Sequence, residues 1–198
     1  MPELIEFDFV TGNQFKIDEA NSALAQYGIQ VRKRHDIEKI EIQSTDLETI
    51  ASAALALVVQ KVKGKVVVED SGLFVHALNG FPGPYSSFVF DTLGIDSILK
   101  LLDGAKTRKA EFRSSVAYGE EGKLVAVFSS VTEGNIVTQP RGSNGFGFDP
   151  IFAPIWTQKT FAEMEMKEKS VYSHRSKAFS KLALWYLNEC SKKAKIKS

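Results

Sequence analysis

Apolar and polar residues alternate from Leu4 to Val10, with Ile5, Phe7 and Phe9 on one face and Glu6 and Asp8 on the other; this period of two predicts a strand. Thr11-Gly12-Asn13 breaks it, and from Gln14 to Tyr27 the period lengthens. Ile17, Ala20, Leu24 and Tyr27 recur at helical spacing, with Asn13 as N-cap and Gly28 as stop. Ile29 to Arg34 predicts a second strand, and alternate apolar positions from Ile37 to Gln43 a third. Thr45-Asp46-Leu47-Glu48 has the form of a capping box, opening a helix expected to run to about Lys63 and stop at Gly64. Val66-Val67-Val68 reads as a strand buried on both faces, expected to end at Glu69-Asp70-Ser71-Gly72.

Farther on, Gly80 to Tyr85 is a Gly/Pro turn, and Ile95 to Leu102 has the spacing of a short helix ending near Gly104. Ala110 to Tyr118 and Lys123 to Thr132 predict a hairpin across Gly119-Glu120-Glu121-Gly122, which brings antiparallel pairing into the fold. Gln139 to Pro154 is rich in Gly and Pro but also holds Phe146, Phe148, Ile151 and Phe152, unlike a flexible linker. A last helix is expected from about Ser173, burying Ala178, Leu182 and Trp185, with a Lys-rich tail fraying after Cys190. No internal repeat is present.

Composition narrows the class of partner. The 198 residues are 43% hydrophobic and carry 25 Lys and Arg against 24 Asp and Glu, which suits one globular domain over 1–198 and gives no global basic field for nucleic acid or an anionic membrane. Any polyanion site must be local. Cys190 is the only cysteine, so internal disulfides and multi-thiolate zinc sites are excluded. Met1 to Glu6 lacks a secretion pattern, and the longest apolar run, Ala53 to Val59, falls short of the ~20 residues that span a bilayer. A cytoplasmic protein with no membrane or nucleic-acid partner is expected.

Four stretches have the residue types for chemistry. Thr11-Gly12-Asn13 ahead of a helix, with Lys16 one turn in, presents free backbone N–H groups and the positive end of a helix dipole, an outline of a phosphate site; it lacks the spacing of a P-loop or dinucleotide motif, and a capped helix with a solvated lysine is the commoner meaning. Glu69 and Asp70 point in opposite directions from a strand, so at least one faces a cleft; with Glu41 they form a carboxylate set suited to Mg²⁺, and a polar turn is an equal alternative. Ser71 and Gly72 add a hydroxyl and a backbone that can approach phosphate. Ser143-Asn144-Gly145-Phe146-Gly147-Phe148-Asp149-Pro150 offers aromatic faces for a base and a carboxylate for a base N–H, against the commoner reading of a loop anchor. Ser173-His174-Arg175 sets two cationic residue types in a first helical turn, where the dipole disfavours them, so an anionic or electron-rich group is expected there; Lys167 and Lys169 lie just upstream, and solvated surface charges are the default. His35 and His76 read as ordinary histidines.

Taken in order, these segments resemble the inosine triphosphate pyrophosphatase, or Ham1-like, family. Thr11-Gly12-Asn13 with Lys16, Glu69-Asp70-Ser71-Gly72-Leu73, the stretch from Leu78 to Tyr85, Gly145 to Pro150, and Ser173-His174-Arg175 are each similar to a family motif. The resemblance implies an α/β fold with an elongated mixed β-sheet and flanking helices, its two lobes around a central nucleotide-binding cleft, and a homodimer. It implies Mg²⁺-dependent hydrolysis of deaminated purine nucleoside triphosphates (ITP, dITP and XTP) to the monophosphate and pyrophosphate. By motif position, Asp70 is the central carboxylate, binding metal and activating water, with Glu41 as second ligand. Thr11, Gly12, Asn13, Lys16 and Ser71 hold the triphosphate, and Lys169 reaches phosphate or base. Phe146, Gly147 and Phe148 line the base pocket, with Phe146 the stacker, and Asp149, His174 and Arg175 read the purine edge. Ser170 and Asn79 depart from the family's Asn and Gly at those positions, which touches fine positioning only. The alternatives are a nucleotide-binding module without chemistry and a pyrophosphatase for modified pyrimidine nucleotides.

Overall fold

A computed structural model describes residues 4–197, with side chains through Lys193; the opening segment Met1 to Glu3 lies outside the described residues. The first strand, β1 (Ile5–Val10), leads through α1 (Gln14–Leu24) to β2 (Ile29–Arg34), which pairs parallel to it in register from Ile5↔Ile29 to Val10↔Arg34. Asn13 caps α1, its side chain accepting from the Phe15 N–H at 2.9 Å; a short 3₁₀ turn follows the helix and Gly28 closes it at φ 66°. After α2 (Leu47–Val58) the chain enters β3 (Lys65–Val75), parallel to β1 on its other side. The rest of the sheet is antiparallel: β3 pairs β5 (Lys109–Glu120), β5 pairs β6 (Lys123–Ile136), and β6 pairs β7 (Phe152–Pro154), giving the order β2-β1-β3-β5-β6-β7. A two-residue strand, β4 (Pro82–Gly83), joins β3 at Leu73 and Phe74, and α3 (Ser86–Leu101), α4 (Met166–Tyr172) and α5 (His174–Lys197) complete the chain.

One gap in this sheet positions the candidate site. β1 meets β3 only at Asp8↔Val66 and Phe9↔Val67, and on that edge β4 takes over only at Leu73. Between them, Val68 to Gly72 have β5 on one side and no strand on the other. The gap lies at the carboxyl end of β1, where its neighbours β2 and β3 diverge, the switch point at which open α/β sheets bind ligands.

The core divides around it. Phe7, Phe9, Val67 and Tyr118 pack under α1 and α5 with Leu24, Phe179 and Leu182, while Val66 and Val68 pack on the opposite face against Ala54, Leu55 and Val58 of α2. A third cluster gathers Leu73, Val75, Ile98, Phe112, Phe152 and Phe161 at the far half of the sheet. The fold is therefore the expected mixed-sheet α/β architecture with two lobes.

Several local expectations are corrected. Ile37 to Gln43 forms no strand; no neighbouring strand pairs it, Ile40 and Ile42 are exposed, and the segment crosses the end of the sheet as irregular chain. Asp46, not Thr45, caps α2, its Oδ2 accepting from the Thr49 N–H at 2.9 Å, and Glu48 receives the Ser129 hydroxyl at 2.6 Å instead of closing a capping box. That helix ends at Val58, before Gly64. β3 does not stop at Glu69 but continues to Val75, because β5 pairs it throughout; the ending of β1 leaves Glu69 and Asp70 without a strand on their other side. α3 starts at Ser86, well before Ile95, with Gly94 at φ 69° breaking its regularity. The last helix continues to Lys197. The hairpin forms as expected, with Glu121 and Gly122 both at positive φ.

Candidate active site

A cavity of about 1090 Å³ opens at the gap in the sheet, slightly above the usual size range of small-molecule sites. Its walls come from the turn after β1, the irregular chain at 37–41, the middle of β3, the start of α3, the loop at 146–149 and the first turn of α5. It therefore collects Thr11, Gly12, Asn13, Lys16, Glu41, Asp70, Ser71, Phe146, Gly147, Phe148, Asp149, His174 and Arg175, all singled out in the sequence. Lys169 is the exception: it is buried behind the wall.

The turn has the form expected of a phosphate cradle. The Thr11 hydroxyl accepts from the Asn13 N–H at 3.2 Å, fixing the bend, and a side chain at Gly12 would meet nothing within 4 Å, so its backbone is open to the cavity. Lys16 Nζ stands 2.8 Å from Glu69 Oε2, which anchors the ammonium at the mouth of the helix.

The two acidic residues of β3 divide their labour by strand alternation. Glu69 points, with Val67 and Ser71, toward α1 and α5; it is wholly buried, accepting from Ser114 Oγ at 2.8 Å and Arg175 Nε at 3.1 Å, and does not line the cavity. Burial opposes its ionisation, but Arg175 and Lys16 outweigh burial and hold it below the usual carboxylate range. Asp70 points the other way into the cavity, and burial pushes its carboxyl up. Lys39 lies between Asp70 and Glu41: its Nζ is 3.5 Å from Asp70 Oδ1, pairs with Glu41, and donates to the Glu69 carbonyl at 2.8 Å.

The anionic compensation expected at the first turn of α5 is supplied from within the fold. Ser173 caps the helix, its Oγ accepting from the Arg175 N–H at 3.1 Å and the Ser176 N–H at 3.3 Å. Glu19 of α1 receives the Ser173 hydroxyl, Arg175 Nη1 at 2.9 Å and Lys169 Nζ at 3.3 Å. Burial works against the Glu19 charge, but Lys169 and Arg175 win and lower its pKa to about 2. Arg175 also gives Nη2 to Ser71 Oγ at 2.8 Å, so three of its five N–H donors are committed while the guanidinium still borders the cavity. Lys169 is tied to Asp149 at 2.7 Å and Glu19, and Lys167 is exposed.

The remaining wall is aromatic. Phe146 stacks on Phe15 with ring centres 5.5 Å apart and planes 17° from parallel, and both edge the cavity. Gly145, at φ 77°, lets the Asp149 carboxylate fold back to accept the Phe146 N–H at 2.9 Å; a Cβ there would lie 2.1 Å from Asp149 Oδ2. Phe148 is more anchor than wall, packed edge-on to Phe90 in the third core cluster. His174 stacks on Phe112 at 4.8 Å and 8°, with its Nδ1 buried and unpartnered. Burial, with Arg175 adding to it, lowers the His174 pKa to about 3, so the ring is neutral at pH 7.

Sequence reasoning missed Glu19, Lys39, Phe15 and Phe112, and it passed over His35, which lines the cavity. Only the residue type of Lys39, two positions before Glu41 in extended chain, carried a local signal. Among the described residues no group of three or more His, Cys, Asp or Glu side chains could hold a metal alone, and no helix is long and apolar enough to cross a membrane. Asp70 and Glu41 nonetheless converge on one cation, the Lys39 ammonium, which stands where a hard ion with two carboxylate ligands would fit.

By fold and site this is an α/β protein of the kind that takes phosphorylated ligands at the switch point of its sheet. Its sequence fits one such group over nearly its full length. The chain belongs to the Ham1 family, whose sequence profile matches residues 8–185. It is 50% identical over 180 residues to the dITP/XTP pyrophosphatase of Methanopyrus kandleri, spanning 91% of this chain and 95% of that protein. It is 46% identical over 175 residues to the dITP/XTP pyrophosphatase of Hyperthermus butylicus, spanning 88% and 91%. The Ham1 protein structures from Coxiella burnetii and Staphylococcus aureus each superpose with a TM-score of 0.79 at 28% identity, covering 93% of this chain and 99% of theirs.

Proposed function

We propose that this protein hydrolyses deaminated purine nucleoside triphosphates, ITP, dITP and XTP, to the monophosphate and pyrophosphate. The observation that carries this reading is one cavity that joins a phosphate turn, a carboxylate pair facing a cation position, and an aromatic wall beside His174 and Arg175. The names of the relatives agree with it.

The Thr11–Asn13 backbone and Lys16 bind the triphosphate, and Lys16 offsets charge that builds on the departing pyrophosphate. Asp70 and Glu41 would hold Mg²⁺, which supplies charge neutralisation and polarisation of the phosphate oxygens. Asp70 also orients the water that attacks the α-phosphorus from its place on the cavity wall. Phe146 stacks on the base. Neutral His174 and the free donors of Arg175 face the purine edge, where inosine and xanthosine offer a C6 carbonyl and adenine an amine, so adenine leaves a donor unpaired. Asp149 acts by fixing the Phe146 backbone, and Phe148 anchors the loop in the third core cluster. Lys169 acts through Asp149 and Glu19. The working form is a cytoplasmic homodimer; exposed apolar side chains at Tyr85, Phe88 and Leu93 along the start of α3 support a protein-covered surface.

Incubation with inosine triphosphate and adenosine triphosphate, with Mg²⁺ or with chelator, tests the reading. Mg²⁺-dependent release of inosine monophosphate and pyrophosphate, much slower for the adenine nucleotide, is expected. Nucleotide binding without turnover would leave only a binding module.

A further inference from the structure

The gap in the sheet leaves the backbone carbonyl of Glu69 in β3 without a strand partner on the cavity side, and the Lys39 ammonium donates to it at 2.8 Å. The same ammonium pairs with Glu41 and lies 3.5 Å from Asp70 Oδ1, so a single nitrogen meets three oxygens. Its side chain is only 13% exposed and belongs to the cavity wall, not to the solvent-facing surface. These are the two carboxylates assigned above to the metal, and the inference rests on that assignment.

A divalent ion and an ammonium cannot both sit between Asp70 and Glu41. Magnesium takes its oxygens at about 2.0–2.1 Å, which would bring it against the lysine nitrogen in a half-buried site where like charges repel strongly. Metal entry therefore requires the lysine to leave. A free metal ion gains two carboxylates but strands a lysine charge and uncaps the Glu69 carbonyl. A metal–triphosphate chelate brings new anionic oxygens into the same cavity, and the four-carbon stem of Lys39 lets the ammonium turn to them.

We propose that Lys39 is a tethered counter-cation that keeps the Asp70–Glu41 pair closed to free metal and passes to the triphosphate when the metal–nucleotide chelate enters. Metal and nucleotide then bind with mutual enhancement, and the free enzyme holds metal weakly. Lys39 is in this sense a positioning residue for the carboxylates in the free enzyme.

The test is a Mn²⁺ titration of the full chain followed by electron paramagnetic resonance, which reads free ion directly and needs no turnover. Lys39→Met is expected to bind Mn²⁺ about tenfold or more tightly than the wild type, because the competitor is gone. Lys39→Gln, which keeps a polar cap for the Glu69 carbonyl, is expected to tighten binding in the same direction, and Lys39→Arg to stay weak. An α,β-imido triphosphate is expected to raise the Mn²⁺ affinity of the wild type by a larger factor than that of Lys39→Met. Equal or weaker Mn²⁺ binding by both neutral variants overturns the role of Lys39. Adding Asp70→Asn to Lys39→Met separates the two levels: loss of the tightened binding confirms the carboxylate site, while tightening that survives overturns the metal assignment and with it the inference.

Discussion

Glu19→Gln isolates the buried charge that holds the site together. Glu19 lies on α1 with no solvent exposure, and its carboxylate joins Arg175, Lys169 and Ser173, more than 145 positions away in sequence. Its pKa falls from 4.5 to about 2, a displacement corresponding to about 3 kcal/mol of preference for the ionised form in the folded protein. Gln keeps the shape and one acceptor but removes the charge. Arg175 retains Glu69 and Lys169 retains Asp149, so the cost is smaller than for stripping a buried cation bare, about 2–3 kcal/mol. A group with a depressed folded pKa contributes fully above its unfolded pKa and loses that contribution as pH falls toward the folded value. The deficit of Glu19→Gln against wild type, measured by urea unfolding, should therefore be full at pH 7 and smaller by about 1 kcal/mol at pH 4. A variant as stable as wild type at pH 7, or a deficit unchanged at pH 4, would refute the assignment of Glu19 as an ionised keystone.

Three further outcomes are expected. Phe146→Ala should weaken binding of an inosine nucleotide by about 1–3 kcal/mol while leaving tripolyphosphate affinity unchanged by calorimetry, since only the former has a base to stack; equal losses for both ligands would place Phe146 elsewhere than the base. The ring protons of His174 should show no titration between pH 5 and 8 by NMR, because burial holds its pKa near 3, and a midpoint around 6.5 would contradict that environment. Gly72→Ala should destabilise the fold by several kcal/mol in denaturant titration, since its Cβ would lie 2.1 Å from the Gly83 carbonyl oxygen where β4 packs on β3; wild-type stability would show that this contact relaxes freely.

What was legible in the sequence was local. Thr11-Gly12-Asn13 and Ser173 declare themselves because caps and tight turns are built from neighbouring residues, and the alternation in β1 and in the hairpin is set by the strand period itself. The role of Glu69 was hidden because the tie to Arg175 crosses 106 positions, and no spacing reveals it. Lys169 was expected at the ligand for a similar reason: its motif position was readable, but its burial against Glu19 and Asp149 depends on how α1 meets α4. Strand alternation was expected to turn at least one of Glu69 and Asp70 to a cleft, and Asp70 does line the cavity, although for another reason than a strand end. The opening comes from β1 being shorter than β3, a property of pairing and not of either strand alone. Ile37 to Gln43 alternates like a strand yet has no partner, so its periodicity was a poor guide.

Hydrolysis of inosine triphosphate in ¹⁸O-enriched water, with both products analysed by mass spectrometry, tests the central claim most directly. Attack by Asp70-oriented water on the α-phosphorus predicts one heavy oxygen in inosine monophosphate and none in pyrophosphate. Label in the pyrophosphate, or inosine diphosphate with orthophosphate as products, would contradict the placement of the reacting phosphorus beside Asp70.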